Sequence, residues 1–126
     1  MSERPSNRIA FAKTEATPVV GRPYRNPIRA SRLDIRQPDK PPRIVALELD
    51  EIIIGRAPEV HLQVLSAELS RVHMRIHRSR QGWRLEDLDS RNGLYLNGHL
   101  IHAAILRDGD LIQVGDVEFH FEAGNQ

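Results

Sequence analysis

The sequence predicts an all-β fold: a two-sheet antiparallel β-sandwich of about eleven short strands with a flexible N-terminal arm. Three observations carry that reading. Apolar residues after position 31 come in runs of four or fewer, broken by turn chemistry, and no segment has the length and 3.6-residue period of a long helix. Near the end, Val117, Phe119 and Phe121 alternate with Glu118, His120 and Glu122, giving a strand with one apolar and one wet face. Seven of the eight prolines fall in residues 1–42, leaving only Pro58 in the remainder, so the two parts of the chain differ in kind.

Residues 1–28 carry five basic groups against two acidic ones, a balance of +3, whereas 29–126 carry 13 basic and 15 acidic, a balance of −2. A proline-punctuated basic stretch whose large apolar residues are scattered (Ile9, Phe11, Tyr24) cannot offset its own ordering entropy. It is read as a mobile tail, with the globular domain at 29–126. Within that domain the predicted strands are 32–36, 43–49, 51–54, 61–65, 73–78, 83–88, 94–96, 99–101, 104–106, 111–114 and 117–122. Val72, Met74 and Ile76 set against His73, Arg75 and His77 predict a second core-facing alternation. Asn97-Gly98 between two apolar runs predicts a type I′ hairpin, and Asp108-Gly109-Asp110 a further turn.

Composition narrows the function. With 126 residues, 40% apolar, 28% charged and a net charge of +1, the chain reads as one ordinary globular domain plus an appended segment. No apolar run approaches the ~20 residues of a membrane span, and the start has no signal-like stretch, so a cytoplasmic protein without a membrane is expected. The absence of cysteine removes disulfides, thiolate metal sites and cysteine nucleophiles. A tail of +3 over 28 residues is thin ground for nucleic acid, which is not the expected partner.

Polar residues concentrate in three strand-flanking loops: Gly55-Arg56, Ser70-Arg71-Val72-His73 and Ser90-Arg91-Asn92-Gly93. Guanidinium forks, hydroxyls and an amide are what holding a dianionic phosphate requires. A hydrolase built on Ser70, His73 and Asp89 lacks an oriented relay and a nucleophile elbow. The six histidines (His61, His73, His77, His99, His102, His120) have no carboxylate or cysteine spacing that completes a metal site. No metal, cofactor or catalysis is expected.

Ile54-Gly55-Arg56, Ser70-Arg71-Val72-His73, Asp87-Leu88-Asp89-Ser90-Arg91-Asn92-Gly93, Asn97-Gly98, and Leu106-Arg107-Asp108-Gly109-Asp110 with Val114-Gly115 together resemble the forkhead-associated (FHA) domain, a phosphothreonine-recognition module. The resemblance covers about residues 29–126. It implies that Arg56 pairs with the phosphate, Ser70 donates its hydroxyl to it, Arg71 adds a further contact, and Asn92 holds the ligand main chain. By the same resemblance Gly55, His73 and Gly93 are scaffold, and Arg91 is a second-rank contact. Leu94 stands where the family commonly has threonine, which reads as a packing change. The wording around Gly82-Trp83 looks like bacterial relatives.

The function so implied is a non-catalytic adaptor for a phosphothreonine-containing protein in a Ser/Thr kinase pathway. The rival reading is a phosphate-independent structural or assembly subunit using the sandwich and arm for protein contacts. Thr14 and Thr17, the only threonines in the chain, are read as candidate phosphoacceptors. Through them the tail could enter the Arg56 and Ser70 site of its own or a neighbouring copy.

Overall fold

The computed structural model describes residues 29–125. The arm, with Thr14 and Thr17, lies outside the described residues. Eleven strands follow in order: β1 (Arg32–Arg36), β2 (Arg43–Ala46), β3 (Glu51–Gly55), β4 (Leu62–Gln63), β5 (Met74–Ser79), β6 (Gly82–Asp87), β7 (Tyr95–Leu96), β8 (His99–Leu100), β9 (Ala103–Ile105), β10 (Leu111–Val114) and β11 (Val117–Glu122). One sheet has the order β2-β1-β11-β10-β7-β8, the other β4-β3-β5-β6-β9. No helix among the described residues is long and apolar enough to cross a membrane.

The alternation in β11 does what its pattern dictates: Val117, Phe119 and Phe121 are buried while Glu118, His120 and Glu122 are partly exposed. They join Leu33, Ile35, Ile112 and Val114 of their own sheet and meet Ile52, Ile54, Met74, Ile76, Trp83 and Leu85 of the other in one apolar cluster. At about 1.5–3 kcal/mol for each large buried side chain, this interface is the main source of stability.

Two features depart from expectation. The sheets are not wholly antiparallel, because β4 runs parallel to β3, with Ile54 opposite Leu62. The link between them loops back and presents the same direction again. The alternation at 72–77 also breaks at its start: Val72 is 46% exposed and His73 fully buried. β5 begins only at Met74, and the turn before it rotates the imidazole inward, where ring nitrogens find partners described below.

At the Asn97-Gly98 hairpin both residues have positive φ, 50° and 85°, as a type I′ turn requires. Asn97 does more than turn: its Oδ1 accepts the Leu111 amide at 2.9 Å and its Nδ2 donates to Asp110 at 3.0 Å.

Register places the loops. Ile54 pairs with Met74, and Met74 with Asp87, so the segments after Ile54, before Met74 and after Asp87 all emerge at one pole of the sandwich. The chain enters and leaves at the other pole, where Arg29 N donates to Asn125 Oδ1 at 2.6 Å.

Candidate functional site

Gly55 ends β3 against the backbone of the next loop. A Cβ at this position would lie 2.1 Å from the Arg71 carbonyl oxygen, so only glycine permits the approach. The two segments then run side by side: Arg56 N donates to Ser70 O and Ala57 N to Arg71 O, each at 3.0 Å. Arg56 curls over this ladder, its Nε donating to Leu69 O at 3.1 Å. Both terminal nitrogens of the guanidinium stay without partners among the described residues. From below, Gln63 donates to the Arg56 carbonyl at 3.0 Å.

Ser70 is fixed by its main chain. Its amide donates to His73 Nδ1 at 2.9 Å, which places the ring proton on Nε2, and that nitrogen meets the Gly93 carbonyl at 2.8 Å. The Ser70 hydroxyl oxygen accepts the Arg91 amide at 3.0 Å, while its own proton has no acceptor among the described residues. The hydroxyl is therefore oriented and still able to donate.

Arg71 and Glu59 form an exposed pair at 3.4 Å, 60% and 73% exposed. Such a pair contributes about 0–1 kcal/mol and exchanges readily for a stronger anion. In the third loop Ser90 donates to Asp87 and accepts the Gly93 amide, capping its own turn. Asn92 Nδ2 donates to the Glu68 carbonyl at 2.8 Å, leaving its Oδ1 without a partner among the described residues. The Arg91 guanidinium has none there either.

The structure thus gathers Gly55, Arg56, Ser70, Arg71, His73, Arg91, Asn92 and Gly93 at one pole: three guanidiniums, one hydroxyl and one amide around a short backbone ladder. Leu94 is fully buried in the core cluster, so it faces packing and not solvent. Sequence reasoning did not single out Gln63 or Glu68, and named Asp87 only as part of a motif, without a role. Asp87 had a signal, the Asp-x-x-Ser spacing of a side-chain-closed turn; Gln63 acts across a parallel pair that nothing in the sequence announces.

Three of the other histidines meet neighbours: His61 Nδ1 accepts the Ile53 amide at 2.9 Å, and His77 and His120 face Glu86 and Glu118. No group of three or more His, Cys, Asp or Glu able to hold a metal ion occurs among the described residues. The perturbed carboxylates lie on the outer sheet faces. Asp34 is held below the usual aspartate range by the hydrogen bond from Arg36, and Glu86 below the usual glutamate range by that from Arg84.

A sandwich that offers a ready set of polar side chains from the loops of one pole has the build of a recognition module. Residues 52–115 match the FHA domain family, and the chain belongs to it. It is 32% identical over 71 residues to the ABC transporter ATP-binding/permease protein Rv1747 of Mycobacterium tuberculosis, a match covering 56% of this chain and 8% of that protein. Among solved structures, the Slr1951 protein of Synechocystis sp. superposes with a TM-score of 0.68 at 30% identity, covering 76% of this chain and 97% of that one. Mycobacterium tuberculosis EmbR, in complex with a low-affinity phosphopeptide, does so with a TM-score of 0.68 at 30% identity, covering 78% of this chain and 26% of EmbR.

Proposed function

We propose that this FHA domain is a non-catalytic adaptor that binds phosphothreonine-bearing segments of proteins modified by a Ser/Thr kinase. Phosphothreonine binding is the general role of the family, and the EmbR complex holds a phosphopeptide. The observation that carries the reading here is the Ser70 hydroxyl, oriented by the Arg91 amide with its proton uncommitted, beside an Arg56 whose terminal nitrogens are free among the described residues. In this reading Arg56 and Ser70 grip the phosphate, Arg71 leaves Glu59 to add a third contact, and Asn92 fixes the ligand main chain through its open Oδ1. Arg91 contributes charge at the rim. Charge-assisted hydrogen bonds are worth about 1.5–3 kcal/mol each, so three of them can make micromolar binding, near −8 kcal/mol, conditional on the phosphate.

The test is titration with a degenerate phosphothreonine peptide library, repeated with phosphoserine and unphosphorylated peptides. Binding that requires phosphothreonine and disappears in Arg56→Ala supports the adaptor. Binding or self-association indifferent to both phosphate and Arg56 supports the assembly-subunit reading instead.

A further inference from the structure

The chain holds two Asn-Gly pairs, Asn92-Gly93 and Asn97-Gly98, and the fold restrains them unequally. Glycine has no Cβ to keep its amide away from the preceding side chain, so each pair has the connectivity for self-cyclisation. In that reaction the glycine nitrogen gives up its proton and attacks the asparagine Cγ. A C–N bond forms, the proton ends on Nδ2, and Nδ2 leaves as ammonia. The resulting succinimide takes up water at either carbonyl, giving aspartate or isoaspartate. Water is consumed, ammonia is released and nothing is oxidised.

Asn97 is held against this course. Its Oδ1 accepts the Leu111 amide at 2.9 Å, its Nδ2 donates to Asp110 Oδ1 at 3.0 Å, and its own amide donates to the Leu111 carbonyl at 2.8 Å. Both ends of the side chain must break free before Cγ can turn toward Gly98. The Asp110 carboxylate also opposes the negative charge that develops on the attacked group.

Asn92 is exposed, and only its departing atom is tied. Nδ2 donates to the Glu68 carbonyl at 2.8 Å, while Oδ1, where the charge develops, has no partner among the described residues. The preceding residue is a cation, Arg91, and a positive charge beside a developing oxyanion favours it. The attacking amide is not sealed either. Gly93 N donates to Ser90 Oγ at 3.1 Å, and Ser90 donates its own proton to Asp87. The proton that must leave nitrogen therefore faces a chain of acceptors ending on a carboxylate.

We propose that Asn92 is a deamidation site within the binding pole, that its conversion ends phosphopeptide binding, and that bound ligand delays the conversion. The effect on binding rests on the phosphopeptide reading above; the chemistry does not. An acid at position 92 loses the donor to the Glu68 carbonyl, opposes that oxygen, and adds a negative charge beside the phosphate pocket. Isoaspartate also lengthens the main chain of the loop. A ligand held by Asn92 Oδ1 occupies the group that must be attacked, so the domain ages more slowly when occupied.

The experiment incubates the full chain at mildly alkaline pH alone, with the degenerate phosphothreonine library, with its unphosphorylated counterpart, and in urea. Trypsin then releases residues 92–107 as a single peptide carrying both sites, and fragmentation mass spectrometry reads the conversion at each. In the folded chain Asn92 is expected to convert roughly ten-fold faster than Asn97, the factor for about 1.4 kcal/mol of extra local opening at Asn97. In urea the two rates should converge. The phosphothreonine library should slow Asn92 and leave Asn97 unchanged. Affinity for that library, measured by fluorescence anisotropy, should fall in step with conversion at position 92, and Asn92→Asp should bind about ten-fold more weakly than wild type.

Conversion of Asn97 as fast as Asn92 in the folded chain, or an equal preference for Asn92 in urea, overturns the site. Affinity that survives full conversion overturns its link to binding. Fresh protein that binds no phosphothreonine peptide overturns the phosphopeptide reading and the protection by ligand, and the ligand-free rates distinguish that failure from failure of the site.

Discussion

His73 Nε2 lies 2.8 Å from the carbonyl oxygen of Gly93, twenty residues further along the chain, and with Nδ1 on the Ser70 amide the ring clamps two loops of the binding pole together. The imidazole is fully buried. Replacing His73 with alanine leaves a buried N–H and a buried C=O unpaired and opens a cavity. The expected loss is about 3–5 kcal/mol of stability, read from urea midpoints. Phosphopeptide affinity should fall as well, measured by calorimetry at a temperature where the variant is folded, because neither Ser70 nor Asn92 is then held in place. Full stability in His73→Ala would show that the clamp is idle.

Gly55→Ala tests the backbone ladder. With Arg71 O only 2.1 Å from the new methyl position, the obstacle is main chain and cannot swing aside, so the Arg56 and Ser70 segments must separate. The variant should melt several degrees lower and bind phosphothreonine peptide at least ten-fold more weakly. A crystal structure of the variant with the Arg56 N to Ser70 O bond unchanged would contradict this.

Acid stability depends on two carboxylates on the outer faces of the sheets. Asp34, bonded by Arg36 at 2.9 Å, and Glu86, bonded by Arg84 at 2.8 Å, both titrate lower in the folded chain than unfolded. As pH falls the unfolded state takes up their protons first. Their contribution is therefore complete above about pH 5, begins to fade as pH drops through the ordinary carboxylate range near 4, and is gone once pH passes below the folded values. Urea midpoints measured from pH 7 to 2.5 should decline over that window. The decline should be shallower in Asp34→Asn and in Glu86→Gln, with lower midpoints at pH 7.

Leu94 separates packing from recognition. It is fully buried in the core, so Leu94→Thr removes apolar volume and buries a hydroxyl, at an expected cost of about 2–4 kcal/mol. Phosphopeptide affinity of the folded variant should stay within about two-fold of wild type. A large affinity gain from the restored hydroxyl would instead make position 94 part of the pocket.

Strands with strict alternation were legible because a half-buried strand has only one phase that hides Val117, Phe119 and Phe121 together. The Asn97-Gly98 turn was legible because few residue pairs tolerate two positive φ values. What escaped were features that depend on partners distant in sequence. The inward turn of His73 is stabilised by the Ser70 amide three residues back and by the Gly93 carbonyl twenty residues on; the second partner no local pattern reveals, and a period-two reading put Val72 inside and His73 outside. The parallel β3–β4 pair escaped for the same reason, since a two-residue strand carries no period. In the site, residue types marked the loops, but only the register of Ile54, Met74 and Asp87 across β3, β5 and β6 explains why they converge.

The meeting of Arg29 with Asn125 means that both peptide connections depart from the face turned away from the loops. Polypeptide attached directly at residue 29 or 125 therefore starts behind the domain, like a cable behind a socket, on the side away from the loops. A fluorescent protein or a host enzyme joined at residue 29 or 125 would begin away from the loops, and those two residues could be bridged and the chain reopened elsewhere.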